Sequence, residues 1–215
     1  MNARYFFFRL LIVTQLFLTG VPSLSAQTAA EVLDRAAAKL QKSKNGYSAT
    51  FHATVFKGTR ETATTSGTLL VKGKKYKVVS DNITTWFDGT TQWSMIAGSD
   101  EVNVTTPSAQ EMQQLNPYAL LSTYRQGYSK TMQTSTKNGV KQHEITLIST
   151  GKALFPKVII IVDGNYSVRN LRLRDSKGDW LRFRIGTIKT GLTLDDATFR
   201  FNKTDYPDID IIDLR

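Results

Sequence analysis

The sequence has no cysteine and only two histidines and five prolines in 215 residues. Without cysteine there is no disulfide, no thiolate nucleophile, no cysteine-ligated metal and no N-terminal cysteine to carry a lipid anchor. A domain of this length does not need disulfides, because its apolar core suffices. His52 and His143 do not fall in a metal-ligand spacing; His52 lies on the polar side of its strand, His143 on the side of Ile145 and Leu147, and both read as structural. No nucleophile elbow, His-Glu-x-x-His or Walker loop is present. Gly151-Lys152 lacks the upstream glycine and the hydroxyl of a phosphate loop, and the acidic pairs Asp100-Glu101 and Asp195-Asp196 fall at turns, where carboxylates cap and solvate. No catalytic residue, metal or cofactor is therefore expected, and the chain reads as a non-enzyme. A glycosidase assembled from distant carboxylates is the enzymatic alternative.

Long apolar runs are also scarce. Leu10–Leu18 is the one run of note, about half of the roughly 20 residues a spanning helix needs. Arg4 and Arg9 flank Tyr5–Phe8 before it, and Gly20, Pro22 and Ser23-Leu24-Ser25-Ala26 follow. That order predicts a cleaved secretory signal over residues 1–26 rather than a membrane anchor, leaving residues 27–215 as one exported, soluble domain, in the periplasm of a bacterium. There are 28 Lys+Arg against 18 Asp+Glu, and cleavage takes the net charge from +10 to about +8.

What the sequence does hold is strand periodicity. Thr28-Ala-Ala-Glu31 is a capping box opening a helix along which Val32, Leu33, Ala36, Ala37 and Leu40 recur at helical spacing. Ala49, Phe51, Ala53 and Val55 then alternate with Thr50, His52 and Thr54. Hairpin signals repeat down the chain, including Lys72-Gly73-Lys74, Asp88-Gly89, Asn138-Gly139 and Asp163-Gly164-Asn165, and Thr198–Phe201 reads as a final strand before a polar tail. Ser108-Ala-Gln-Glu111 opens a second helix that meets Asn116-Pro117. Roughly ten strands and two or three helices are expected, in an antiparallel sheet or barrel.

In Leu171-Arg-Leu-Arg-Asp and Trp180-Leu-Arg-Phe-Arg-Ile, alternation puts Leu171, Leu173, Leu181, Phe183 and Ile185 on one face and Arg172, Arg174, Arg182 and Arg184 on the other, provided that the turn between them has an odd number of residues. Like charges opposite one another are unfavourable. The bland reading is a solvated face relieved by nearby acids; the sharper one is a docking surface for an anionic partner or lipid head groups. In Thr84-Thr-Trp-Phe-Asp-Gly-Thr-Thr-Gln-Trp93, an even-length loop places Trp86 and Trp93 on one face. Together with Phe51, Val55, Leu69, Val71, Tyr76, Val78, Met95, Leu173 and Phe183 they form more apolar surface than two modest helices cover. A sheet so lined either packs into ordinary core or keeps an apolar cavity.

These residues resemble the LolA-type periplasmic carriers of outer-membrane lipoproteins. The resemblance begins at the N-terminal helix and Tyr47-Ser-Ala-Thr-Phe51 and runs through Gly67-Thr-Leu-Leu-Val-Lys72 and Lys75-Tyr-Lys-Val78. It continues in Phe87-Asp-Gly-Thr-Thr-Gln-Trp93, in Asn116-Pro-Tyr-Ala-Leu-Leu121 and in Leu194–Phe201 with Pro207-Asp-Ile-Asp210. It implies an incomplete antiparallel β-barrel, a half-barrel lidded by a few helices, with Tyr118, Leu120 and Leu121 in the lid. It implies a monomer that binds lipoprotein acyl chains and shuttles them from the inner to the outer membrane. Its partners would be a lipoprotein-releasing ABC transporter in the inner membrane and an acceptor at the outer membrane. An envelope sensor of lipidated or misfolded protein is the alternative on the same scaffold. The family commonly has a basic residue and a proline where this chain turns through Lys72-Gly73-Lys74-Lys75; the proline is missing, and the resemblance implies Lys74 as the candidate for the basic residue that hands cargo onward.

Overall fold

The computed structural model describes residues 27–43, 45–108 and 126–215. The signal segment and the lid residues Tyr118, Leu120 and Leu121 lie outside the described residues, as does the helix expected beyond Ser108. The first helix, α1 (Ala29–Gln41), starts where the capping box places it: Thr28 Oγ1 accepts from the Glu31 amide, and the Glu31 carboxylate accepts from the Thr28 amide. Among the described residues twelve strands follow: β1 (Tyr47–Lys57), β2 (Arg60–Lys72), β3 (Lys75–Ser80), β4 (Ile83–Phe87), β5 (Gln92–Ile96), β6 (Glu101–Thr105), β7 (Tyr128–Lys137), β8 (Val140–Ser149), β9 (Lys157–Asp163), β10 (Val168–Arg174), β11 (Trp180–Thr190) and β12 (Asp210–Asp213).

All twelve lie in one sheet, ordered β12-β6-β5-β4-β3-β2-β1-β11-β10-β9-β8-β7. Among the described residues β7 and β12 are its edges, and the sheet curls without closing into a barrel. Every pairing is antiparallel except β12 with β6. The long pairing of β1 with β11 joins an N-terminal meander, β1–β6, to a C-terminal one, β7–β11. A bulge in β11, where Gly186 and Thr187 together oppose Thr50, breaks the β1–β11 ladder, and the Thr50 hydroxyl there accepts from the Thr187 amide at 3.0 Å.

Register sorts the side chains onto two faces. On one, the helix face, α1 presents Val32, Leu33 and Ala36 to Ile145, Leu147, Val158, Ile160, Leu171, Leu173 and Ile185, most of them nearly free of solvent. A smaller cluster of Tyr47, Leu69, Val71, Tyr76 and Phe87 continues the same face, and Leu40 of α1 reaches it. At this scale each fully buried aliphatic side chain contributes roughly 1.5–3 kcal/mol, which is why a helix of modest propensity holds its place. The helix is also tied down by side chains. Arg35 and Gln27 donate to the Tyr166 hydroxyl at 2.8 and 3.1 Å, and Lys39 donates to the Asn165 carbonyl and the Ser167 hydroxyl.

The other face is covered over β2–β4 by the segment after β11. Thr198–Phe201, expected as a strand, is instead part of a 3-10 turn over Asp196–Phe199 and the chain beyond it, because the Asp195 carboxylate caps the Ala197 amide and tightens the backbone. Asp196 bridges Lys72 and Lys75, Lys72 also donates to the Leu194 carbonyl, and Arg200 pairs with Asp88. Gly46, with φ +134°, lets this segment pass: a Cβ there would sit 2.6 Å from Leu194 Cδ1.

Candidate functional site

Of the apolar side chains expected to line a cavity, all but Trp86, Trp93 and Met95 share the helix face. Phe51 pairs with Gly67, whose missing side chain leaves room for the ring: a Cβ at Gly67 would lie 2.8 Å from Phe51 Cζ. Phe183, opposite Ala53, meets Phe51 edge-on with ring centroids 6.1 Å apart. Leu69, Val71, Tyr76, Val78 and Leu173 lie on the same side. Burial is graded along this face. Leu69, Val71, Tyr76 and Leu173 are buried, Phe51, Val78, Leu181 and Phe183 are half-buried, and Val55 is 39% exposed. The apolar surface therefore reaches solvent toward the end of β1 that carries Val55.

Trp86, Trp93 and Met95 correct the expectation. The loop Asp88–Thr91 has an even length, closed by Asp88 Oδ1 accepting from the Thr90 and Thr91 amides, and Trp86 and Trp93 are directly opposite. They share a face, but it is the outer one. Phe87 pairs with Tyr76 on the helix face, so its neighbour Trp86, opposite Lys77, points away. Trp86 is nearly fully buried there, edge-on to Phe201 and Tyr206 at 5.6 and 5.8 Å, with the Lys77 ammonium 5.3 Å from the ring centre. Met95 falls between Thr84 and Val102 on that same outer face.

A polar network that periodicity does not reveal occupies the helix face of β3–β5. The Tyr76 hydroxyl donates to Gln92 Oε1 at 2.8 Å, Gln92 Nε2 donates to the Ser94 hydroxyl, and Thr85 meets Ser94. Burial pushes the Tyr76 phenol pKa up, so it stays a neutral donor. The apolar floor thus grades into a strip of hydroxyl and amide groups, an arrangement suited to an amphiphile with an apolar tail and a hydrogen-bonding head. The one clue was Thr85, Gln92 and Ser94 at alternate positions beside the aromatics.

The basic residues separate into two groups. Lys74 is exposed in the two-residue turn between Lys72 and Lys75, where Gly73 takes φ +58°. Arg172, Arg174, Arg182 and Arg184 share the outer face as the alternation requires, because the β10–β11 loop, Asp175–Asp179, has an odd length. Both histidines are accounted for structurally. His52 Nδ1 lies 3.0 Å from the Ser66 hydroxyl, and His143, buried against β9, meets the Thr134 hydroxyl, with burial and then Lys141 lowering its pKa. Among the described residues no group of three His, Asp or Glu is placed to hold a metal ion. No helix among them is long and apolar enough to cross a membrane.

No curated protein matches the sequence at a significant level. Solved structures that it resembles include a DUF1329 family protein from Desulfovibrio piger (11% identity, 79% of this chain and 95% of that one, TM-score 0.46). A LolA superfamily protein from Nitrosomonas europaea is also similar (12%, 84% and 100%, 0.44). So is a putative outer membrane lipoprotein-sorting protein domain from Vibrio parahaemolyticus (14%, 80% and 97%, 0.43). The sequence itself is more specific: residues 22–176 match the family described as outer membrane lipoprotein carrier protein LolA, and the chain belongs to that family.

Proposed function

We propose that this protein is a periplasmic carrier that takes up lipoprotein acyl chains on the helix face of its sheet and shuttles them from the inner to the outer membrane. The observation that carries the reading is the apolar floor of Phe51, Val55, Val78, Leu181 and Phe183, which remains partly open to solvent on the side where α1 packs. Each methylene left in water costs about 0.8 kcal/mol, so a single long acyl chain brings on the order of 10 kcal/mol to whatever shelters it. Half-exposed rings offer such a chain a surface already desolvated on one side. The polar strip of Tyr76, Gln92, Ser94 and Thr85 would receive the ester and amide groups at its head. Membership of a carrier family supports the reading. With no nucleotide motif in the sequence, a transporter in the inner membrane would supply the energy of loading, and an acceptor at the outer membrane would receive the cargo.

The test is uptake of a pyrene-labelled triacylated lipopeptide by the purified protein, followed by transfer to acceptor vesicles. Stoichiometric uptake that weakens several-fold in Phe51→Asp or Phe183→Asp is expected. Saturating lipopeptide that is not taken up would overturn the proposal. Uptake without transfer would assign the protein instead as a sensor of lipidated envelope proteins.

A further inference from the structure

On the outer face of the C-terminal half of the sheet, register lays the side chains out in rows across the strands. The row nearest the β10–β11 loop is Phe56, Trp180, Arg174, Lys157 and Ile148, on β1, β11, β10, β9 and β8. The next is Thr54, Arg182, Arg172, Ile159 and Thr146; the third is His52, Arg184, Asn170, Ile161 and Glu144. Five cations therefore stand on three adjacent strands, with Arg172 and Arg182 directly opposite. Strands lie about 4.8 Å apart, so these guanidinium groups repel one another. Glu144 answers Arg172 at 3.3 Å and is the acid within these rows.

Folding alone gives this face little reason to keep its charge. Among the described residues, Arg172 Nε, Arg182 Nε, Asn170 Oδ1 and the hydroxyl of the fully buried Thr54 find no hydrogen-bond partner. The outward parts of the arginines are held by flat supports instead: the Arg182 guanidinium lies 4.8 Å over the Phe56 ring, and that of Arg174 lies 5.9 Å over Trp180. Phe56 and Trp180 are themselves cross-strand partners.

We infer that this face docks the protein on a bilayer that carries anionic phospholipid. Register spreads the five cations over adjacent strands of a sheet surface, and Ile159 between them is buried, which suits a broad anionic surface more than a single side-chain anchor. Arginine stacked on tryptophan and phenylalanine at one level is instead the composition of a membrane–water interface. Trp180 and Phe56 lie at the same end of the sheet as Val55, on the opposite face. The inference stands apart from what the helix face carries, because the test uses the protein without cargo.

The experiment is co-sedimentation of the purified protein with vesicles of pure phosphatidylcholine and of phosphatidylcholine with phosphatidylglycerol. Binding only to the anionic vesicles, weakening as salt rises, is expected. A basic side chain at such a surface contributes about fivefold in affinity, so Arg174→Gln with Arg184→Gln should weaken binding by roughly tenfold or more. Both of these residues are exposed, which keeps the variant foldable; an unchanged thermal midpoint checks this. Lys137→Gln with Lys141→Gln, at the β7–β8 hairpin, should bind nearly as the parent does. Failure to sediment with anionic vesicles, or equal losses in the two double variants, overturns the inference. Binding to soluble polyglutamate but not to vesicles also overturns it, and points to an acidic protein.

Discussion

The two halves of the sheet carry different covers. β8–β11 lie under α1 on the helix face, while β2–β4 also lie under the segment from Leu194 to Tyr206 on the outer face. The first cover is an aliphatic core with polar ties at its rim; the second is an aromatic cluster flanked by ion pairs. A single sheet has two faces to bury, and this chain spends one cover on each half, along a diagonal. The basic outer face of β9–β11 and the half-open floor around Phe51 and Phe183 are parts that neither of these covers closes, and each of the two proposed interactions uses one of them.

Breaking either cover tests whether the halves are one cooperative unit. Phe199, fully buried under the outer segment, should cost about 4 kcal/mol as Phe199→Ala, and Leu33, fully buried under α1, about 3 kcal/mol as Leu33→Ala. Urea unfolding should show lower midpoints with unchanged slope for both. Hydrogen exchange sharpens the result: Phe199→Ala that releases β4–β6 and β12 alone would make the halves separate units.

Acid should discriminate the covers next. Hydrogen bonds from Lys75 and then Lys72 hold the Asp196 carboxyl at about 2. Its folded value is depressed, so its contribution is complete above the unfolded value near 4 and is lost as pH falls toward 2. Trp86 emission, reporting contact with Phe201 and Tyr206, should shift across that window, and Asp196→Asn should remove this component. The smallest effect is expected outside both covers. The Arg172–Glu144 pair is half-exposed, so Glu144→Gln should change stability by less than about 1 kcal/mol while strengthening binding to anionic vesicles.

The sequence announces α1 because a capping box and a helical apolar stripe agree, and the structure starts the helix there. It announces the arginine face because β10 and β11 alternate cleanly between leucine and arginine. It does not announce the face of Trp86, because β4 is apolar on both sides: Trp86 and Phe87 are adjacent, and only the pairing of Phe87 with Tyr76 decides which points toward α1. Tyr76, Phe87 and the polar strip beside them follow from that decision. Nor does it announce β12, a four-residue strand whose partner β6 is far away in the chain. Thr198–Phe201 misleads because alternate aromatics resemble a strand, whereas the Asp195 cap makes a tight turn that seats Phe199.

The parallel pairing of β12 with β6 sets an order of assembly. Asp210 meets Glu101 across roughly a hundred residues of intervening chain, and such distant contacts form late because the loop must close first. Synthesis runs from the N-terminus, so β6 emerges long before β12 and the crossing segment. In that interval Trp86, Trp93, Val102 and Val104 form a bare greasy strip beside an unprotected strand edge, which makes the nascent half-sheet a client for holding chaperones and a template for clumping.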